Sequence, residues 1–153
     1  MKKALTVDII TSLYAMLFLY TGISKIIGHE LFALSLTKSP VLHPYVGILS
    51  IAVPALEVAI ALALFSSFFV HAPRARAWGL YSGVVLMAMF TGYVWYILRT
   101  IPHSLPCSCG GIIQQMNWHQ HLYFNTAFTI LGILACWLNN RLPKESSHNP
   151  AFS

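Results

Sequence analysis

Residues 45–69 read YVGILSIAVPALEVAIALALFSSFF, and this run decides the fold. It is 25 residues long and carries one charged residue, Glu57. At 1.5 Å per residue, a helix of that length crosses the roughly 30 Å of hydrocarbon in a bilayer. Three further runs of the same character, residues 5–27, 75–98 and 119–138, predict an all-α bundle of four transmembrane helices. Composition agrees: of 153 residues, 57% are hydrophobic and 8% charged, where a soluble domain has about a quarter charged. One core of this size leaves too much apolar surface for water to tolerate, so the lipid bilayer solvates part of the chain. The net charge of +5 rests on nine Lys and Arg scattered singly or in pairs. No basic stripe interleaves with aromatics, which excludes nucleic acid as a partner.

Met1-Lys2-Lys3-Ala4-Leu5 opens like a secretory signal. The apolar run that follows contains Asp8, Tyr14, Tyr20 and Thr21 and continues into Ser24-Lys25 without a small-residue cleavage site, so it reads as a retained first helix. Residues 1–138 then form the membrane domain and 139–153 a polar tail. With the N-terminus inside, the cytoplasmic flanks hold Lys2, Lys3, Arg74, Arg76, Arg141 and Lys144, against Lys25, Lys38 and Arg99 outside. That excess predicts cytoplasmic N- and C-termini, in a bacterium within the inner membrane. Leu31, Phe32, Leu34 and Leu36 predict a short interfacial helix between helices 1 and 2, ended by Ser39-Pro40. Trp78 and Tyr81 at one face, and Tyr93, Trp95, Tyr96 and Trp118 at the other, read as anchoring belts.

The chemistry-bearing stretch is Pro106-Cys107-Ser108-Cys109-Gly110-Gly111, between the third and fourth runs and so outward-facing, toward an oxidising periplasm. A disulfide between residues two apart closes a very small ring. It does not easily reach the usual Cα separation of about 4.4–6.8 Å, and strain makes it reducible. A loop this short also removes little unfolded-chain entropy, so exchange suits the pair better than stapling. Cys136 is remote along its helix and reads as a small buried hydrophobe.

Asn117-Trp118-His119-Gln120 has the form of a capping box, which starts the last helix just after the cysteines. A helix N-terminus and a protonated histidine both stabilise thiolate, so Arg99, His103, His119 and His121 are supporting candidates. For each histidine, interfacial packing is an equal alternative. Cys107, Cys109, His119 and His121, with Met116, also offer a ligand set for zinc or copper. Histidines two apart on a helix point about 200° away from each other, which argues against that site.

Glu57 falls near the middle of helix 2, three residues after Pro54. An ionised carboxylate there needs a partner or a wet interior. Helix 1 offers Tyr20, Thr21, Ser24 and Lys25 as one polar cluster. A contact from Glu57 to Lys25 and its neighbours either locks the bundle or lines a small-molecule site that handles protons or a quinone.

Tyr20-Thr21-Gly22-Ile23-Ser24-Lys25-Ile26, followed by Pro54-Ala55-Leu56-Glu57, resembles the DoxX-like membrane proteins. Joined to Cys107-Ser108-Cys109-Gly110, the pattern is similar to the MauE branch over residues 5–138. That resemblance implies a four-helix bundle serving periplasmic thiol–disulfide handling, in which Cys107 and Cys109 exchange with a thioredoxin-like partner or a client. The alternative it leaves open is a non-catalytic subunit or assembly factor of a larger membrane complex. Enzymes that pass electrons from thiols to a quinone use two cysteine pairs, whereas this chain has a single CxC pair.

Overall fold

Each apolar run forms one unbroken helix because, in hydrocarbon, a helix satisfies the backbone N–H and C=O groups within the run itself. That outweighs the breaking tendency of Pro54 and the internal glycines. The computed structural model describes residues 2–69, 73–100 and 117–141. The elements are α1 (Lys2–Ile27), α2 (His29–Thr37), a 3-10 turn (His43–Tyr45), α3 (Val46–Phe69), α4 (Pro73–Thr100) and α5 (Trp118–Asn140). Four of these helices, α1, α3, α4 and α5, are long and apolar enough to cross a membrane. Pro73 opens α4, where a missing N–H costs nothing. Asn117 caps α5 in full: its side chain accepts from the Gln120 amide at 2.8 Å, and Gln120 accepts from the Asn117 amide at 3.0 Å. The expected short helix after α1 is α2, which buries Phe32 and Leu36.

Side-chain contacts fix the direction of each helix. Asp8 meets Arg76 low in the sequence of α1 and α4, Phe18 lies at Gly83, and Lys25 reaches the Phe90 ring. Residue numbers rise together, so α1 and α4 are parallel. Thr91 pairs with Thr129 at 3.2 Å and Tyr81 with Asn140 at 2.6 Å, one number rising as the other falls. Thus α4 and α5 are antiparallel, and Leu64 against Gly79 with Phe68 against Arg76 sets α3 against α4 in the same way. The bundle therefore runs up, down, up, down. One of its ends gathers the last turn of α1, α2, the first turn of α3, the last turn of α4 and the first turn of α5.

Val7, Thr11, Tyr14 and Phe18 make the buried stripe of α1, at the three- and four-residue steps of a helix face. Outward, all four long helices expose large apolar side chains, among them Leu5, Ile48, Val85 and Ile130. That is the reverse of a water-facing surface and the mark of lipid contact. Three seams are tight enough to favour glycine, one of them between α3 and α4, where a Cβ on Gly79 would stand 2.6 Å from Leu64. A Cβ on Gly22 would stand 2.8 Å from Val58 and 3.3 Å from the Pro54 carbonyl, so α1 approaches α3 closely at the turn that holds Pro54. A Cβ on Gly132 would collide with the Tyr14 hydroxyl and Val84. That hydroxyl is fully buried and donates to the Phe128 carbonyl at 2.5 Å, which satisfies a phenol inside hydrocarbon.

Candidate functional site

The two motif pieces of α1 and α3 meet. Lys25 Nζ donates to both carboxylate oxygens of Glu57, at 2.7 and 2.9 Å. The two residues are 5% and 1% exposed, so the pair is withdrawn from water and from lipid. Lys25 also lies 5.7 Å from the Phe32 ring centre and 5.8 Å from that of Phe90. Its ammonium is therefore held by α3 on one side and by the aromatic faces of α2 and α4 on others. Its place in the last turn of α1 suits the negative end of that helix's dipole.

Beside this pair lies a cavity of about 260 Å³. Thr21 and Lys25 of α1, Phe32 of α2 and Glu57 of α3 line it, facing Phe90 of α4 and His121 of α5. All come from the half of the bundle nearest the gathered end. The walls are mainly apolar. His121 is 4% exposed, and neither of its ring nitrogens has a hydrogen-bond partner among the described residues. Asn125, one turn further along α5, is buried on the same wall.

The other predicted site residues divide sharply. Arg99 stands exposed in the last turn of α4, its guanidinium 5.1 Å from the Trp95 ring centre. His119 is exposed while His121 is buried, as their spacing on one helix requires. Cys107, Cys109, His103 and Met116 lie outside the described residues. Among the described residues, no group of three or more His, Cys, Asp or Glu side chains converges as metal ligands would. Cys136 is free, buried and packed in the core with Tyr14 and Phe18.

Sequence reasoning grouped Tyr93 and Trp118 with the anchoring aromatics, but both line the cavity. Trp78 and Trp95 are exposed, 76% and 53%, as belts require. Asn125 went unpredicted, and so did the further walls of the small-molecule site expected beside Glu57. Their signal was the stripe His121, Asn125, Phe128 and Gly132, whose three- and four-residue steps put two polar groups on the inner face of α5. The ion pair of Asp8 with Arg76 at 2.5 Å, at the opposite end of the bundle, was missed as well; Asp8 is partly exposed and the contact is peripheral.

An all-helical, multi-pass membrane bundle with a buried ion pair beside an apolar cavity is the class that this fold and site define. Within that class, the chain belongs to the MauE family. The family described as "Methylamine utilisation protein MauE" matches residues 3–138, and the wider DoxX-like resemblance is compatible with it. No curated protein and no solved structure matches the chain.

Proposed function

We propose that this protein is a redox-associated component of the bacterial inner membrane, its termini cytoplasmic, whose Cys107–Cys109 dithiol exchanges with a periplasmic thioredoxin-like partner or client. The observation that carries the reading is topological. Residues 101–116 connect α4 to α5 at the gathered end of the bundle. The chain around the dithiol is thus tied to two antiparallel helix ends. One carries the exposed Arg99, and the other carries the capped N-terminus of α5 and the exposed His119. A guanidinium and a helix N-terminus both favour thiolate, the attacking species. The family match spans this whole connection.

The exchange is balanced. A thiolate of one cysteine attacks the partner's disulfide, forming a mixed disulfide and releasing one partner thiolate, which takes up a proton. The second cysteine then attacks the mixed disulfide through its own thiolate. The products are the Cys107–Cys109 disulfide and a fully reduced partner; the reverse course delivers the disulfide instead.

Thiol-trapping mass spectrometry in intact cells, repeated on membranes in a titrated redox buffer, tests this. A pair that moves between dithiol and disulfide supports exchange. In Cys107→Ser or Cys109→Ser protein, the remaining cysteine is expected to hold a partner as a covalent adduct. A pair that stays oxidised under reducing buffer, or stays reduced and unreactive, overturns the reading and leaves a structural loop in a membrane complex.

A further inference from the structure

We infer that the cavity between α1, α2, α3, α4 and α5 binds a lipid-soluble molecule with a flat, oxygen-bearing ring of the quinone class, with His121 hydrogen-bonded to its oxygen. This inference goes beyond the exchange reading and does not rest on the cysteines.

Size comes first. A 150 Å³ apolar cavity is enough for benzene, and drug-sized ligands occupy upwards of roughly 300 Å³. A volume of about 260 Å³ therefore takes one substituted ring and excludes a whole phospholipid. Shape comes second. Six aromatic side chains line the space, Phe18, Phe32, Phe90, Tyr93, Trp118 and Phe124. Such walls favour a flat conjugated ring, which stacks on them or meets their edges.

Charge comes third. Of the two lysines in the lining, Lys25 is neutralised by the bidentate contact to Glu57, while Lys38 is exposed. The buried part of the lining therefore presents no unpaired charge, which suits a neutral ring. The polar demand then falls on His121, buried and unsatisfied at both ring nitrogens among the described residues. Such a group is expensive to leave without partners. A neutral imidazole offers one N–H donor and one nitrogen acceptor. It donates to a ring carbonyl and accepts from a ring hydroxyl, and a quinone presents the first when oxidised and the second when reduced. Water alone fits poorly, because a buried water needs two to four polar partners and this lining is mainly apolar. Entry is from the bilayer: Met89 belongs to the lining yet is 65% exposed on α4, so an apolar tail leaves the cavity there toward lipid.

The test uses full-length Cys107→Ser/Cys109→Ser protein in lipid nanodiscs, titrated with decylubiquinone while tryptophan fluorescence is followed. Trp118 lines the cavity, whereas Trp78, Trp95 and Trp137 are exposed outside it. Saturable quenching is expected, and Trp118→Phe should remove it. His121→Leu should weaken binding about tenfold, the worth of one hydrogen bond, without lowering the melting temperature of the ligand-free protein. His121→Gln, which keeps a donor and an acceptor, should bind within about threefold of the parent. It decides the matter if the leucine variant does not fold. Quenching that never saturates and touches all four tryptophans alike is partitioning into lipid and overturns the inference. So does unchanged affinity in folded His121→Leu, or a loss of about tenfold or more in folded His121→Gln. Because the cysteines are absent throughout, failure here leaves the exchange reading untouched, and failed exchange leaves this binding untouched.

Discussion

Removing Lys25 should cost this bundle far more than removing Lys25 and Glu57 together. Glu57 is 1% exposed, and each of its carboxylate oxygens accepts from Lys25 Nζ, at 2.7 and 2.9 Å. At an effective dielectric of about 20, two unit charges about 4 Å apart attract by about 4 kcal/mol. Breaking a buried pair by deleting one partner typically costs about 3–5 kcal/mol, because the survivor stays buried and uncompensated. Lys25→Met should therefore shift the unfolding equilibrium by a factor of roughly a hundred to several thousand. Glu57→Leu should cost about 1 kcal/mol less, because the ammonium keeps the Phe32 and Phe90 ring faces. The double variant places two apolar side chains in an apolar seam and should fall within about 1 kcal/mol of the parent. Steric-trap or denaturant unfolding in bicelles, run on all four proteins, yields the coupling energy directly. A coupling below about 0.5 kcal/mol would refute the reasoning, since the pair would then be solvated and not a buried lock.

Two further expectations follow from the packing. Gly132→Ala should destabilise the bundle by about 1–3 kcal/mol through collision with Tyr14 and Val84, and Tyr14→Phe should recover part of that loss when combined with it, measured as melting temperatures. Asn117→Ala should cost about 1 kcal/mol and raise hydrogen exchange selectively at the first turn of α5, because it removes the cap on Gln120.

The bundle was legible because hydrocarbon imposes one solution on an apolar chain: long, internally bonded helices. The start of α5 followed from local chemistry, at the Asn117–Gln120 box. The pairing of Glu57 with Lys25 was legible in outline, since a mid-membrane carboxylate must find a partner and α1 held the nearest cation. A small-molecule site beside Glu57 was one of two expectations there. The walls of the cavity were not legible, since they arise from the way five elements meet and no single helix carries them. Trp118 and Tyr93 are indistinguishable in sequence from interfacial anchors, and only the rotation of α4 and α5 turns them inward. His121 and Asn125 share an inner stripe of α5, but a histidine near a cysteine pair reads equally as a thiolate-supporting group, and sequence alone does not place it on a cavity wall.

The ion pair also sets an order of manufacture. Lys25 closes α1 and Glu57 sits near the midpoint of α3, the next spanning helix to be synthesised. A lone charge at the centre of a membrane helix costs roughly 2.5–3.5 kcal/mol on insertion. The lysine already waiting at the end of α1 relieves that cost as α3 enters, before α4 or α5 exists. The first half of the chain thus holds its mid-membrane carboxylate already paired and is able to rest in the bilayer. The second half brings the remaining walls, so nascent chains truncated before α4 should remain inserted while the cavity has yet to form.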